Sequence, residues 1–338
     1  MNRSAFKKLS PANFAFIMST GVVSIVLHAS GWPLFSRLFL FIGGIGYLAL
    51  VLLFAMRIFI LKEVILDDFK DIQRMFKYLT FCAGSNTLAI ASILLEHDTL
   101  GIILGIIGTI STILFTYTLF CTLLFHVQKP IEAISPFWLL LSIACHSSGI
   151  VISTLWEKNA LTNPQFLLLG FSFWTFGVVL YFIFMTLNIY RMIFFPFKGK
   201  DIDPCYWTCM GAAAIAVVDG SRFILVHHSP LFYSIQPFMQ GMILFLWTWG
   251  AAWIPILCLM EGWKHLYFKI PFRYQPSLWA MVFPQGMFTD ATKLLSLNFS
   301  FPILSDIVEI WLWVTLIIWC FVLVMSRLNP FLDKLRYS

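Results

Sequence analysis

Two pairs of opposite charges stand inside otherwise apolar stretches of the chain: Asp219 with Arg222, and Asp290 with Lys293. An ionised side chain at the centre of a bilayer costs at least about 2.5–3.5 kcal/mol, so charges kept at that depth mark internal pairs, proton relays or substrate paths. The members of each pair are three residues apart and can meet on one helical face. At about 100° per residue, Arg222 returns to within about 20° of the face of Gly211, and Asp290 to within about 20° of that of Phe283. These charges read either as two local ion pairs near the ends of helices or as part of a path. On the second reading Asp219, Asp290 and Lys293 are candidates for proton coupling, with Asp290 neutralised by Lys293 or by a proton.

The stretch Val282-Phe-Pro-Gln-Gly286 is the sharpest local signal. Pro284 within a spanning helix removes a backbone hydrogen bond and frees a carbonyl that needs another partner. Beside it, Phe283 is a large apolar side chain of the kind that closes a narrow pore by dewetting. Enzyme constellations are scarce by contrast. His28, His97, His227 and His228 fall near one set of span ends and His126 and His265 near the other, without metal-ligand spacing. His146 sits inside an apolar run next to Cys145, which leaves a membrane enzyme or sensor as an alternative of another class. The seven cysteines are odd in number and form no Cys-x-x-Cys pair, so they read as small core residues. No metal or cofactor is expected.

The elements that must position these residues follow from composition. Of 338 residues, 60% are hydrophobic and 11% charged, against roughly 25% charged in a soluble protein, and the mean hydropathy is +0.87. That excludes a soluble enzyme and a nucleic-acid-binding face. A spanning helix needs about 20 mainly apolar residues, and runs of that kind fall at 12–28, 34–61, 78–95, 99–125, 137–155, 165–194, 205–226, 237–262, 276–296 and 303–326. The fold class is therefore an all-α integral membrane protein of ten spans in a single polytopic domain. The first span has no small-residue cleavage site and is read as a retained helix. With the N-terminus inside, only Arg37, Lys158, Arg222 and Lys293 of the 22 Lys and Arg residues fall outside. That asymmetry puts both termini in the cytoplasm.

Each odd-numbered span carries a glycine among small or hydroxylated residues: Gly21, Gly84, Gly149, Gly211 and Gly286, at steps of 63, 65, 62 and 75 residues. Recurrence at this period means one supersecondary unit used repeatedly, here a helical hairpin used five times. Polar groups and bent backbone at membrane depth are tolerated where they face protein or a water-filled path. Five such helices around an axis would form a pore, kinked at these glycines and at Pro284. For a single glycine, close helix packing is the competing reading. The hydroxyls and other donors at these positions, Ser19, Thr20, Ser24, Ser85, Thr87, Ser147, Ser148, Arg222, Thr289 and Thr292, are the candidate anion path.

The segments Phe14-Ala-Phe-Ile-Met-Ser-Thr-Gly-Val-Val-Ser24, Cys205-Tyr-Trp-Thr-Cys-Met-Gly-Ala-Ala-Ala-Ile215, Trp247-Thr-Trp-Gly-Ala-Ala-Trp-Ile-Pro255 and Trp279-Ala-Met-Val-Phe-Pro-Gln-Gly-Met-Phe-Thr289 resemble the tellurite-resistance/dicarboxylate transporter family. That group includes bacterial TehA, yeast malate and sulfite transporters and the plant guard-cell slow anion channel. The resemblance runs from about Pro11 to Leu323. It implies five hairpins with the odd-numbered helices around a central pore, a homotrimer with one pore per subunit, and an aromatic plug in the ninth helix at Phe283. The implied cargo is a small anion: a C4-dicarboxylate, sulfite or a tellurite-related oxyanion, carried across the plasma membrane. A proton-coupled dicarboxylate carrier using Asp290 and Asp219 is the alternative. Asp219 and Asp290 stand where the family is expected to have small or apolar residues, and Lys293 where an aromatic is usual.

Overall fold

The computed structural model describes residues 9–61, 63, 67–69, 71–125, 133–225 and 230–336, and of residues 230–232 and 329–336 the backbone alone. Arg3, Lys7, Lys8, Lys62, Lys70, Lys129, His126, His227 and His228 lie outside the described residues, as do the side chains of Lys334 and Arg336. Among the described residues ten long helices follow one another: α1 (Ala15–Ala29), α2 (Pro33–Ile60), α3 (Ile72–Leu94), α4 (Asp98–Phe125), α5 (Leu139–Glu157), α6 (Pro164–Phe194), α7 (Thr208–Leu225), α8 (Pro230–Gly262), α9 (Trp279–Asn298) and α10 (Pro302–Arg336). No strand occurs among the described residues.

Proline sets many of the starts, because the first turn of a helix needs no N–H there. It opens α2 and α6. Short 3₁₀ turns led by proline, Pro11–Phe14, Pro136–Trp138, Pro204–Trp207 and Pro276–Leu278, run directly into α1, α5, α7 and α9. The remaining odd-numbered helix, α3, is capped by Asp71, whose side chain accepts the Arg74 N–H at 3.2 Å. Three helix ends differ from the apolar runs in the sequence. α3 starts at Ile72, a turn and a half before 78, because a capped amphipathic turn containing Arg74 and Lys77 precedes its apolar part. α8 starts at Pro230 and runs through both Pro237 and Pro255; proline forfeits a backbone bond, but its fixed φ remains helical. α10 continues to Arg336.

Packing follows the chain order. Each even-numbered helix lies on the odd-numbered helix before it. The odd-numbered helices also pack in succession, α1 on α3, α3 on α5, α5 on α7 and α7 on α9, and α9 returns to α1. The five thus close a ring. Within their most apolar stretches, 78–94% of the residues of α1, α5 and α7 are buried, against 28–39% in the even-numbered helices. The even-numbered helices turn large apolar side chains outward, on α2 for example Leu34, Phe41, Ile45, Leu48, Leu52 and Phe59. Such a surface is unfavourable in water by about 25 cal/mol per Å² and is at home in lipid.

Among the described residues, eight helical stretches are long and apolar enough to cross a membrane; α3 and α9 fall short. Both carry polar residues, Ser85, Asn86 and Thr87 in α3 and Gln285, Asp290 and Lys293 in α9. Both are also enclosed by other helices along most of their length, so they need little lipid-compatible surface.

Tryptophans of the outer helices fasten the ring, since an indole N–H at this depth must find an acceptor. Trp174 of α6 donates to the Ala216 carbonyl of α7 at 3.0 Å. Trp247 of α8 and Trp311 of α10 donate to Thr292 and Gln285 of α9, both at 2.9 Å. Trp319 of α10 donates to Thr20 of α1 at 3.2 Å. At one end of the bundle Asp68, almost fully buried, binds Arg57 of α2 at 2.7 Å and Arg74 of α3 at 2.9 Å, and accepts the Tyr78 hydroxyl at 3.0 Å.

Candidate functional site

The face that α9 turns into the ring can be read from its contacts. A Cβ on Gly211 of α7 would lie 2.7 Å from Pro284 Cγ, and one on Gly286 would lie 2.6 Å from Val22 of α1. Pro284 therefore faces α7 and Gly286 faces α1. At about 100° per residue, Phe283, Met287 and Asp290 fall between those two directions, on the inner side. Gln285, Thr289 and Thr292 fall on the opposite side, where they meet Trp311, Thr315 and Trp247 of the outer helices. Phe283 is completely buried, and Met287 and Asp290 are 2% and 4% exposed.

The same argument applies to α7. Gly211 faces α9 and Asp219 faces α5, so Arg222, about 20° from the first direction and about 60° from the second, also lies on the inner side. On these directions it shares the interior with Asp219 of its own helix and Asp290 of α9. Its Nη1 donates to Glu157 Oε2 of α5 at 3.3 Å, while its buried Nε has no hydrogen-bond partner among the described residues.

Asp219 meets a different residue from the one its spacing suggests. Its Oδ2 lies 3.1 Å from His146 Nδ1 of α5, both side chains fully buried. Two glycines make the room: a Cβ on Gly149 would come within 2.5 Å of the Asp219 carboxylate, and one on Gly177 of α6 within 2.7 Å of His146 Nε2. Asp290 forms no ion pair or hydrogen bond among the described residues. Lys293, half-buried, lines a separate cavity of about 340 Å³ with Ser30, Glu309 and Trp313. The four charges are thus not two pairs along their own helices. Asp219 and Arg222 each turn to α5, Asp290 has no bonded partner among the described residues, and Lys293 lines its own cavity.

The glycines and hydroxyls are sorted by the same contacts. The helices run unbroken through Gly21, Gly84, Gly149, Gly211 and Gly286. Four of the five sit where a neighbouring group would collide with any side chain, Gly21 against Thr87 Oγ1 at 2.8 Å among them; Gly84 has ordinary contact distances. Most of the hydroxyls are engaged. Ser19 donates to the Trp279 carbonyl at 2.6 Å, and Ser24 pairs with Ser36 of α2. Ser85 donates to the Phe81 carbonyl and meets Tyr47 of α2 at 2.9 Å. Thr87, Thr289 and Thr292 donate to carbonyls of their own helices. Ser147 and Ser148 do likewise, and both accept from Asn86 of α3. Thr20 accepts from Trp319. Four of these, Thr20, Ser24, Ser85 and Ser148, join an inner helix to an outer one, and Thr289 and Thr292 do so through Thr315 and Trp247.

Sequence reasoning singled out Asp219 and His146 separately but not as a pair, since 73 positions separate them. A detectable signal was present: each is a titratable residue at depth in an odd-numbered span. The four proline-led turns were also visible, as a proline just ahead of each of those helices.

Closed ring, polar interior and apolar jacket together define a multi-pass helical membrane protein with its chemistry inside. The chain belongs to the voltage-dependent anion channel family, SLAC1, whose profile matches residues 8–326. This places it among transporters and channels, not enzymes. It is 33% identical over 134 residues to an uncharacterized membrane protein of Mycobacterium tuberculosis, covering 40% of this chain and 68% of that one. Two uncharacterized transporters of Methanocaldococcus jannaschii are each 22% identical, over 95% and 96% of this chain and 93% and 95% of theirs.

Proposed function

We propose that this protein moves small anions across the plasma membrane through the interior of its five-helix ring, with Phe283 as the gate. In this reading all ten helices cross the bilayer as five hairpins, both termini are cytoplasmic, and three copies assemble with one path each. Candidate cargoes are C4-dicarboxylates, sulfite and tellurite-related oxyanions. The observation that carries the reading is the inner face of α9: a buried phenylalanine in line with Asp290, facing the same interior as Arg222.

An anion path needs positive or donor-rich groups that hold the ion weakly enough to release it. Most of the hydroxyls spend their protons on backbone carbonyls, so they offer an anion little. Arg222 is the better donor, with a buried Nε that has no partner among the described residues. Asp219 and Asp290 temper its charge and limit how tightly it holds an anion. Phe283 blocks the interior with an apolar ring, which water and ions do not wet.

Anion currents and radiolabelled flux from purified protein in liposomes test this directly. Phe283→Ala is expected to raise conductance; a folded variant with no gain removes the gate. The buried His146–Asp219 pair favours a second reading, a proton-coupled carrier, because a carboxylate and an imidazole in contact can take up or release a proton together. On that reading an imposed pH gradient drives uphill uptake, and Asp219→Asn abolishes it while leaving downhill exchange.

A further inference from the structure

The end of the bundle where α7 and α9 begin holds a second cavity, of about 250 Å³, outside the Phe283–Asp290 stripe. Its charged lining is Lys200, Asp203, Glu261, Lys264, His265 and Arg273. The backbone there is unusual. After Gly262, α8 widens into a π turn over Trp263–Tyr267, a feature that often marks functional sites, and Lys269 follows with a φ of 52°. The π turn carries Lys264 into the protein, leaving it 9% exposed.

Both carboxylates are already engaged. Asp203 Oδ1 accepts the Cys205 N–H at 2.8 Å, and its Oδ2 accepts from Ser277 at 3.3 Å and from Gln275 at 3.5 Å. Glu261 Oε2 lies 3.3 Å from His265 Nε2, and the other ring nitrogen of His265 is 2.7 Å from the Ile270 carbonyl. Among the described residues Lys264, Lys200 and Arg273 form no hydrogen bond through their side chains and no ion pair. Asp203 and Glu261 feel Lys264 only from beyond contact distance. Lys264, buried along most of its length, lines the wall of a cavity whose rim carries a second amine and a guanidinium.

We infer that this cavity binds a phosphate group, supplied by a soluble phosphate-bearing ion or by an anionic lipid headgroup, at a site separate from the transport path. Lys264 supplies a charge from the cavity wall, and Arg273 supplies planar donors suited to two phosphate oxygens. The remaining donors of Lys200 close the open side.

The test uses the full-length protein in nanodiscs of pure phosphatidylcholine and in nanodiscs containing phosphatidylglycerol, with thermal unfolding as the readout at matched ionic strength. Inorganic phosphate is titrated into the first set. A saturable rise in Tm there, weakened at least about tenfold in Lys264→Gln and in Arg273→Gln, identifies a soluble ligand. A rise only in phosphatidylglycerol discs, lost in the same variants, identifies a headgroup. Arg273 is exposed, so its variant tests the site even if Lys264→Gln fails to fold. Absence of any rise, or a rise unchanged in both variants, overturns the inference. No transport is required for the readout, so failure of the Phe283 gate leaves the result interpretable.

Discussion

Arg222 is held between two demands: its Nη1 is tied to Glu157 on the neighbouring helix, and its buried Nε has no partner among the described residues. Glu157 is 66% exposed, and an ion pair of that kind contributes only about 0–1 kcal/mol. Glu157→Gln is therefore expected to change anion flux no more than a few-fold, read in liposomes. Arg222→Gln removes the charge itself and is expected to lower flux roughly tenfold, since a hydrogen bond to a charged group is worth about 1.5–3 kcal/mol; equal flux in the two variants would contradict a role for Arg222. Asp290→Asn should change the pH dependence of flux, measured across imposed pH steps, because Asp290 shares the inner face with Phe283 and has no bonded partner among the described residues to hold its charge. The charges at depth were legible in the sequence as charges, but their partners were not. Spacing sees only neighbours along one helix, whereas Asp219 and Arg222 reach across to α5.

Close approach between helices rests on missing side chains. Gly149→Ala sets a methyl group against the Asp219 carboxylate and should lower stability by about 1–3 kcal/mol, read as a drop in Tm in detergent. Gly84→Ala, which meets ordinary contact distances, should cost less. At the Asp68 cluster, Arg57→Gln removes a buried partner while Arg74 and Tyr78 remain, with an expected cost of about 1.5–3 kcal/mol. The start of α7 carries a pH signature. Burial raises the Asp203 carboxyl above its ordinary 3.8, against the pull of its bonds to Cys205 and Ser277. The folded state thus holds this proton more tightly than the unfolded state. Its contribution is full below about 3.8 and is lost as pH climbs through the folded value. Asp203→Asn, which keeps the capping oxygen, should flatten that part of the stability profile. Eight of the ten helical runs were legible in hydropathy alone, without α3 and α9, and the recurring glycines marked the odd-numbered ones. The starts of α3 and α8 were not, since a capped polar turn and an internal proline look like breaks in an apolar pattern.

Across the whole molecule, the division into a buried ring and an apolar jacket was foreshadowed by the different texture of odd- and even-numbered runs. Contacts between distant helices, including the closure of α9 on α1, are invisible to any local pattern. Native mass spectrometry from detergent is expected to give three copies per particle; a monomer alone would remove the trimer from the proposal. The helices also differ in length: α5 and α7 have 19 and 18 residues, α6 and α8 have 31 and 33. Counted with the 3₁₀ turns that lead into them, α5 and α7 span 22 residues each, so at about 1.5 Å per residue α6 and α8 exceed them by about 15 Å, while α4 exceeds α3 by about 8 Å; along this part of the ring the jacket overhangs it. Recesses of that kind let electrolyte reach inward from the ends. If anions take the path proposed above, membrane voltage then drops mainly over the inner helices, and an anion crossing the ring moves through a correspondingly steeper electric field.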